Sequence, residues 1–353
     1  MEKPNTSLYQ KKIPGITFTR SMCAIGIIIY HYSCHTQNGA KILYTTQSGS
    51  WGVILVTAFF IISGMVMYHN YENIPSLREF YYKRWKSIYP AFYLCFAYYF
   101  LQNVFYAKKL FYGPHPATLL LTLLGMDGYF LYMIPNYYIV GEWFLGAIII
   151  LYLLYPLILW LMKKTDARLI FVLLLVTELL VSNAPFLKVS PTRSQVTCLF
   201  SFYIGIMLRK YSGFFSKKIF LFISLAVFSV MYFFPVSFPL INAGNVIVNQ
   251  IQGLTLFCIL MHAGKVVMNY SVPRKVFDEI GKISYPIYLL QHNIVMKVLG
   301  SFDPHNVLKE ILLIAITIML TVIYAKVVSV VVKSVLNSHI FQKAESRILK
   351  NNT

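Results

Sequence analysis

The sequence predicts an all-α integral membrane protein: a polytopic bundle of about ten transmembrane helices, one further re-entrant or peripheral outer segment, and both termini in the cytoplasm. Three observations carry this prediction. The 353 residues are 58% hydrophobic and 16% aromatic, too apolar to leave a polar surface in water. Long apolar segments recur from residue 17 to residue 334, which leaves no room for a soluble domain of ordinary size. The basic residues behind the net charge of +19 sit in short loops between those segments. That placement reads as the positive-inside bias and not as a nucleic-acid surface.

A spanning helix needs roughly 20 apolar residues. The candidate segments are 17–35, 51–69, 88–106, 117–133, 139–162, 168–184, 195–208, 219–236, 245–262, 283–300 and 309–334. Charge decides among them. If 117–133 does not cross, one side holds 23 of the 31 Lys and Arg residues, and the other holds only Lys41, Lys108, Lys109, Lys188, Arg193 and Lys309. If it does cross, most of the basic patches face outward, against the bias. Pro114, Pro116, Gly125, Asp127 and Gly128 also weaken this segment as a span. The chain then divides into a cytoplasmic tail (1–16), a transmembrane domain (17–334) and a basic cytoplasmic tail (335–353). The polar first twelve residues lead into apolar sequence with no small-residue cleavage site, so no removable signal peptide is expected. The five cysteines are scattered and imply no disulfide framework.

Ionisable groups inside a bilayer are costly, so each is a candidate for function. Arg20 opens the first span, and His31 follows eleven residues later, about three turns and about 16 Å along the helix. Both project from nearly the same face. His31 is either a titratable base deep in the span or a packed, hydrogen-bonded residue. His35, one turn beyond, is either a substrate-side residue or an interfacial one. Glu142, in GEWFLG with Trp143, enters the span 139–162 from outside at the depth the histidines reach from within. A carboxylate there orients an imidazole for general-base work or is a bystander at the interface.

The loop 78–90, REFYYKRWKSIYP, gathers Arg78, Lys83, Arg84 and Lys86 ahead of the third span. Such a cluster binds anionic lipid or cradles the phosphates of a cytosolic nucleotide-type donor. Glu178 and His292 lie mid-span with no assigned role, and Asn245, Asn249, Gln250 and Gln252 suggest a polar outer cavity. No metal spacing such as HExxH or CxxC is present, so no metal is expected. A Walker loop, a GxGxxG loop and a GxSxG elbow are absent as well.

Taken in order, several blocks resemble the acyltransferase-3 family of bacterial membrane O-acyltransferases. Arg20-x10-His31 matches its first-span signature. FFIISGMVM (59–67), FYYKRWKSIYP (80–90), GEWFLGAIIILYLLYPLI (141–158) and IGKISYPIYLLQHNIV (280–295) resemble four further blocks. Two positions depart from the pattern. Ser87 stands where the family often has a second Arg, and Gln291 stands where it commonly has His, with His292 one residue later. That shift turns the imidazole by roughly 100° around a helix.

The resemblance implies a multi-pass protein of the bacterial cytoplasmic membrane that moves an acetyl group from cytosolic acetyl-CoA to a hydroxyl of a cell-surface polysaccharide or its lipid-linked precursor. It implies His31 as base or acyl relay, Arg20 as donor anchor or as the residue that sets the His31 environment, and Glu142 as orienting or acceptor-contacting carboxylate. Arg84, Lys86 and Lys83 would meet the CoA phosphates, and Ser63, His35 and Trp143 would line the substrate path. The rival from another class is a transporter or flippase without covalent chemistry, which would show paired internal repeats. None is evident in the sequence.

Overall fold

The computed structural model describes residues 13–37, 39–111, 114–137, 140, 142–183, 189–238, 244–302, 304 and 306–350. Lys11, Lys12, Lys188 and most of the N-terminal tail lie outside them. Among the described residues the chain is helical throughout, with no β-strand beyond one isolated bridge between Thr45 and Ser50.

The helices run in chain order as α1 (Ile16–His35), α2 (Trp51–Asn70), α3 (Leu77–Ala107), α4 (Leu119–Leu123), α5 (Asp127–Phe130), α6 (Trp143–Lys164), α7 (Ala167–Ser182) and α8 (Gln195–Lys210). They continue as α9 (Ser212–Phe215), α10 (Lys218–Phe233), α11 (Gly244–Val267), α12 (Ser271–Lys282), α13 (Ser284–Ser301), α14 (Val307–Leu336) and α15 (His339–Lys350). Four of them, α2, α6, α11 and α14, carry stretches long and apolar enough to cross a membrane.

Two expectations are sharpened. The segment 117–133 is not one helix but a 3-10 turn at Pro116–Thr118 followed by the short α4 and α5. Its broken backbone is held by a buried polar knot. Thr122 donates to Asp127 Oδ2 (3.1 Å), the Gly128 N–H donates to Asp127 Oδ1 (2.9 Å), and Asn136 donates to the Asp127 carbonyl (2.7 Å). Protein groups thereby replace the water that an interrupted helix needs. The basic stretch 78–90 is not a loop either. It forms the first turns of α3, capped by Ser76, whose hydroxyl accepts from the Glu79 N–H, and the helix runs on through Pro90.

The helix that matters most for the site is α1, which packs against α2, α11, α12 and α13. Beside it, α2 and α8 meet backbone to backbone. A Cβ at Gly64 would lie 1.8 Å from the Phe202 carbonyl oxygen, and one at Gly205 would lie 2.0 Å from the Ile61 carbonyl oxygen. Small residues allow this approach where lipid supplies no hydrophobic drive between helices.

The amphipathic α12 is tied to α14 by Glu279, which accepts from Lys282 (2.7 Å) and from Lys326. These two ammonium groups hold the exposed Glu279 carboxyl at about 2. A depressed carboxylate pKa contributes above its unfolded value and is lost as pH falls through the folded one. The hydrogen-exchange protection of α12, corrected for the intrinsic pH dependence of exchange, is therefore expected to be constant from about pH 5 to 8 and to fall below about pH 4. The variant Glu279→Gln should be less protected from about pH 5 to 8 and should approach the wild type as pH falls toward about 2.

Candidate active site between two cavities

The centre of the site is one carboxylate oxygen. Glu142 occupies the N-cap position of α6, where the helix dipole favours negative charge. Its Oε1 lies 3.3 Å from His31 Nε2 of α1 and 3.1 Å from His292 Nδ1 of α13. Gln291 Nε2 approaches the same oxygen at 3.4 Å, and the Tyr288 hydroxyl donates to the Glu142 backbone carbonyl at 3.1 Å. His35 closes the group, with its ring centroid 4.8 Å from that of His292, while His31 and His292 are 4.9 Å apart. Sequence spacing placed His31 and Glu142 at a common depth. The structure brings them together and adds His292.

Position 292 was missed because helical rotation from the family's usual histidine position gave it no role. The structure puts Gln291 and His292 side by side on Glu142, since the carboxylate sits where α13 presents both residues. Each imidazole meets this oxygen through one ring nitrogen, and a neutral ring that donates to it from that nitrogen keeps a lone pair on its other one.

Two cavities flank this group. One, called inner because it lies toward the Arg20 end of α1, has a volume of about 460 Å³ and is lined by Arg20, Ser63, Arg84, Tyr152, Tyr285 and Tyr288 among others. The other, called outer because it lies toward the His292 and Glu142 end, has a volume of about 490 Å³ and is lined by Glu142, Trp143, Arg193 and His292 together with α5 and its flanks. Tyr288 faces the first cavity while its hydroxyl reaches Glu142, which faces the second, so the wall between the cavities is a few side chains thick.

Of the basic residues singled out in the sequence, Arg20 and Arg84 reach the inner cavity. Arg84 donates to the Tyr71 hydroxyl (2.9 Å), lies over the Tyr71 and Tyr152 rings, and keeps a buried Nε without a partner. Lys86 is held instead by Glu345 of α15 at 2.7 and 2.9 Å, and Lys83 by Glu79. Ser63 pairs with the Tyr152 hydroxyl (3.3 Å) on the inner wall. Trp143 stands in the outer cavity with the Arg193 guanidinium 5.7 Å from its ring centroid.

In the polar outer half of α11, Asn249, Gln250 and Gln252 are buried. Gln250 donates to Glu178 (2.7 Å) and Ser201 (3.0 Å), and Gln252 donates to Thr46 (3.0 Å). Asn249 accepts from the Ser50 N–H at 2.9 Å. These groups tie α7, α8, α11 and the loop before α2 together, so the aqueous reading of that half-helix is corrected to a packing role. Glu178 belongs to the same buried network, away from the histidines.

In this all-helical membrane protein a histidine and carboxylate centre stands between one cavity lined by Arg20 and Arg84 and a second lined by Glu142, Arg193 and His292. The profile of a family described as an acyltransferase domain matches residues 13–329. The chain belongs to that acyltransferase-3 family. Neither a curated protein nor a solved structure matches it.

Proposed function

We propose that this acyltransferase is an O-acetyltransferase of the bacterial cytoplasmic membrane. In this reading acetyl-CoA enters from the cytoplasm, and the acceptor is a hydroxyl of a surface polysaccharide or its lipid-linked precursor on the outer side. Ten spans with both termini inside give the charge distribution that this orientation requires. The observation that carries the reading is the Glu142 carboxylate bridging His31 and His292 at the wall between the two cavities.

The chemistry follows from the geometry. Arg20 and Arg84 supply fixed positive charge to the inner cavity, where Arg offers paired donors to phosphate. Lys86 and Lys83 stand near the same mouth in ion pairs, which ranks them behind Arg84 as phosphate ligands. Glu142 orients the His31 ring and stabilises it when protonated, as a carboxylate does for a general-base histidine. His31 takes the proton of the acceptor hydroxyl while that oxygen attacks the thioester carbonyl. The tetrahedral intermediate then expels the CoA thiolate, and the imidazolium returns the proton to sulfur. His35 and Trp143 border the acceptor side, and Ser63 borders the donor side.

Membrane vesicles with the cytoplasmic face exposed test this reading directly. Acetyl-labelled CoA supplied to that face should label an endogenous glycan in an alkali-labile ester. Arg84→Ala should raise KM for acetyl-CoA roughly tenfold, corresponding to the lower range for a lost charged hydrogen bond, with kcat nearly kept. Label appearing only in protein or in lipid that carries no glycan, or an unchanged KM, would contradict it.

A further inference from the structure

The three imidazoles that surround Glu142 do more than acid and base chemistry requires. His31, His35 and His292 each offer one ring nitrogen, and these nitrogens all lie within 4.8 Å of one another. They come from two helices, α1 and α13, with His31 and His35 one turn apart on the same helix face. A carboxylate already touches two of the three rings. Three imidazoles converging from two fixed helices, with a carboxylate against two of them, resemble the donor set that divalent ions of the zinc group select.

We propose that His31, His35 and His292, with Glu142 as the fourth donor, form a binding site for a divalent transition-metal ion of the Zn(II) or Co(II) type at the outer end of the catalytic wall. Tetrahedral Zn–N bonds of about 2.0–2.1 Å place neighbouring ligand nitrogens about 3.3 Å apart. The widest separation here exceeds that by about 1.5 Å, and modest side-chain rotations of His35 and His292, the two less buried rings, close the gap. Access is from the outer cavity, which His292 and Glu142 line. The Arg193 guanidinium in the same cavity opposes a dication. The Glu142 charge offsets it at closer range, and Arg193 rests over Trp143 and not on the histidines.

The consequence rests on the base role given to His31 above. A ring nitrogen that holds a metal is unavailable to accept a proton, so metal occupancy and acyl transfer exclude one another at His31. The site is then an inhibitory one, sensing free transition metal on the outer side.

The full chain, purified in detergent with a tag other than polyhistidine, should be titrated with Co(II) alone and followed by its visible d–d absorption. A saturable signal at about one Co(II) per chain, displaced by Zn(II), is expected. His35→Gln and His292→Gln should each raise the half-saturating concentration by about 100-fold or more, given that losing even an outer partner of a ligand costs about 10–100-fold. The variant His115→Gln, on the loop before α4, serves as the control and should leave the signal intact. Absence of a saturable signal, or one that survives both substitutions, would overturn the site. Acyl transfer is scored separately in the same preparation. Transfer by the metal-free protein that falls as the cobalt signal saturates is expected. Transfer without any cobalt signal removes the metal site and leaves the transferase reading intact, whereas a cobalt signal from a preparation that shows no transfer even before metal is added supports the site and removes that reading.

Discussion

Replacing His31 by Ala is expected to lower acyl transfer by about 10²- to 10⁴-fold, the usual contribution of a positioned general base, while the protein is made at the wild-type level. Mass analysis of the glycan from cells carrying each variant measures this, and a full complement of acyl groups with His31→Ala would refute the mechanism. Glu142→Gln separates orientation from bulk. The amide keeps the size of the side chain but removes the charge that stabilises protonated His31, which lies 3.3 Å away. Its loss should therefore appear in kcat and kcat/KM together, because the charge on the imidazole exists only as the proton moves. A purely structural role for Glu142 predicts instead a fall in protein level with normal activity per molecule.

The second large effect is on the fold. Gly205→Ala places a methyl group 2.0 Å from the Ile61 carbonyl oxygen, and Gly64→Ala places one 1.8 Å from that of Phe202. Backbone atoms cannot turn aside as a flexible side-chain end can. The helices must separate, at a cost of about 1–3 kcal/mol for each methyl by the usual penalty for overpacking. Thermal unfolding in detergent should show both variants well below the wild type, and Val at either position lower again. Gly300, near the end of α13, has nothing within 4 Å of its would-be Cβ, so Gly300→Ala should hold or slightly raise the midpoint. Equal effects at Gly205 and Gly300 would mean that the α2 and α8 contact is looser than these distances require.

Much of this architecture was legible in the chain because single helices obey a short period. Arg20, His31 and His35 could be put on one face from spacing alone, and the charge of the loops assigned a direction to that helix. Pro116, Gly125 and Asp127 marked the segment that fails to form one long helix. What could not be read was which helices meet. Glu142 and His292 are 150 positions apart, and nothing local says that α13 lies against α1 with residue 292 turned to the carboxylate. For the same reason Asn249, Gln250 and Gln252 looked like cavity residues. Polarity within a span shows that partners exist, but only packing shows whether those partners are water, a ligand or Glu178 and Thr46. The run of cations before residue 90 suggests a loop between spans, whereas Ser76 and Glu79 spell the cap of the helix that the structure shows there.

The thin wall formed by Glu142, Tyr288 and the histidines has an electrical consequence. Carrying a charged molecule through a membrane costs about 2.3 kcal/mol per elementary charge for each 100 mV, and a coenzyme bearing several phosphates would feel that field several-fold. In the proposed mechanism an acyl group crosses this wall one way and the hydroxyl proton crosses the other way to sulfur, with no net charge moved, while the phosphates stay with Arg20 and Arg84 on one side and the sugar stays on the other. On that mechanism turnover is expected to be indifferent to membrane voltage, so surface modification should continue in a de-energised cell for as long as the donor pool lasts.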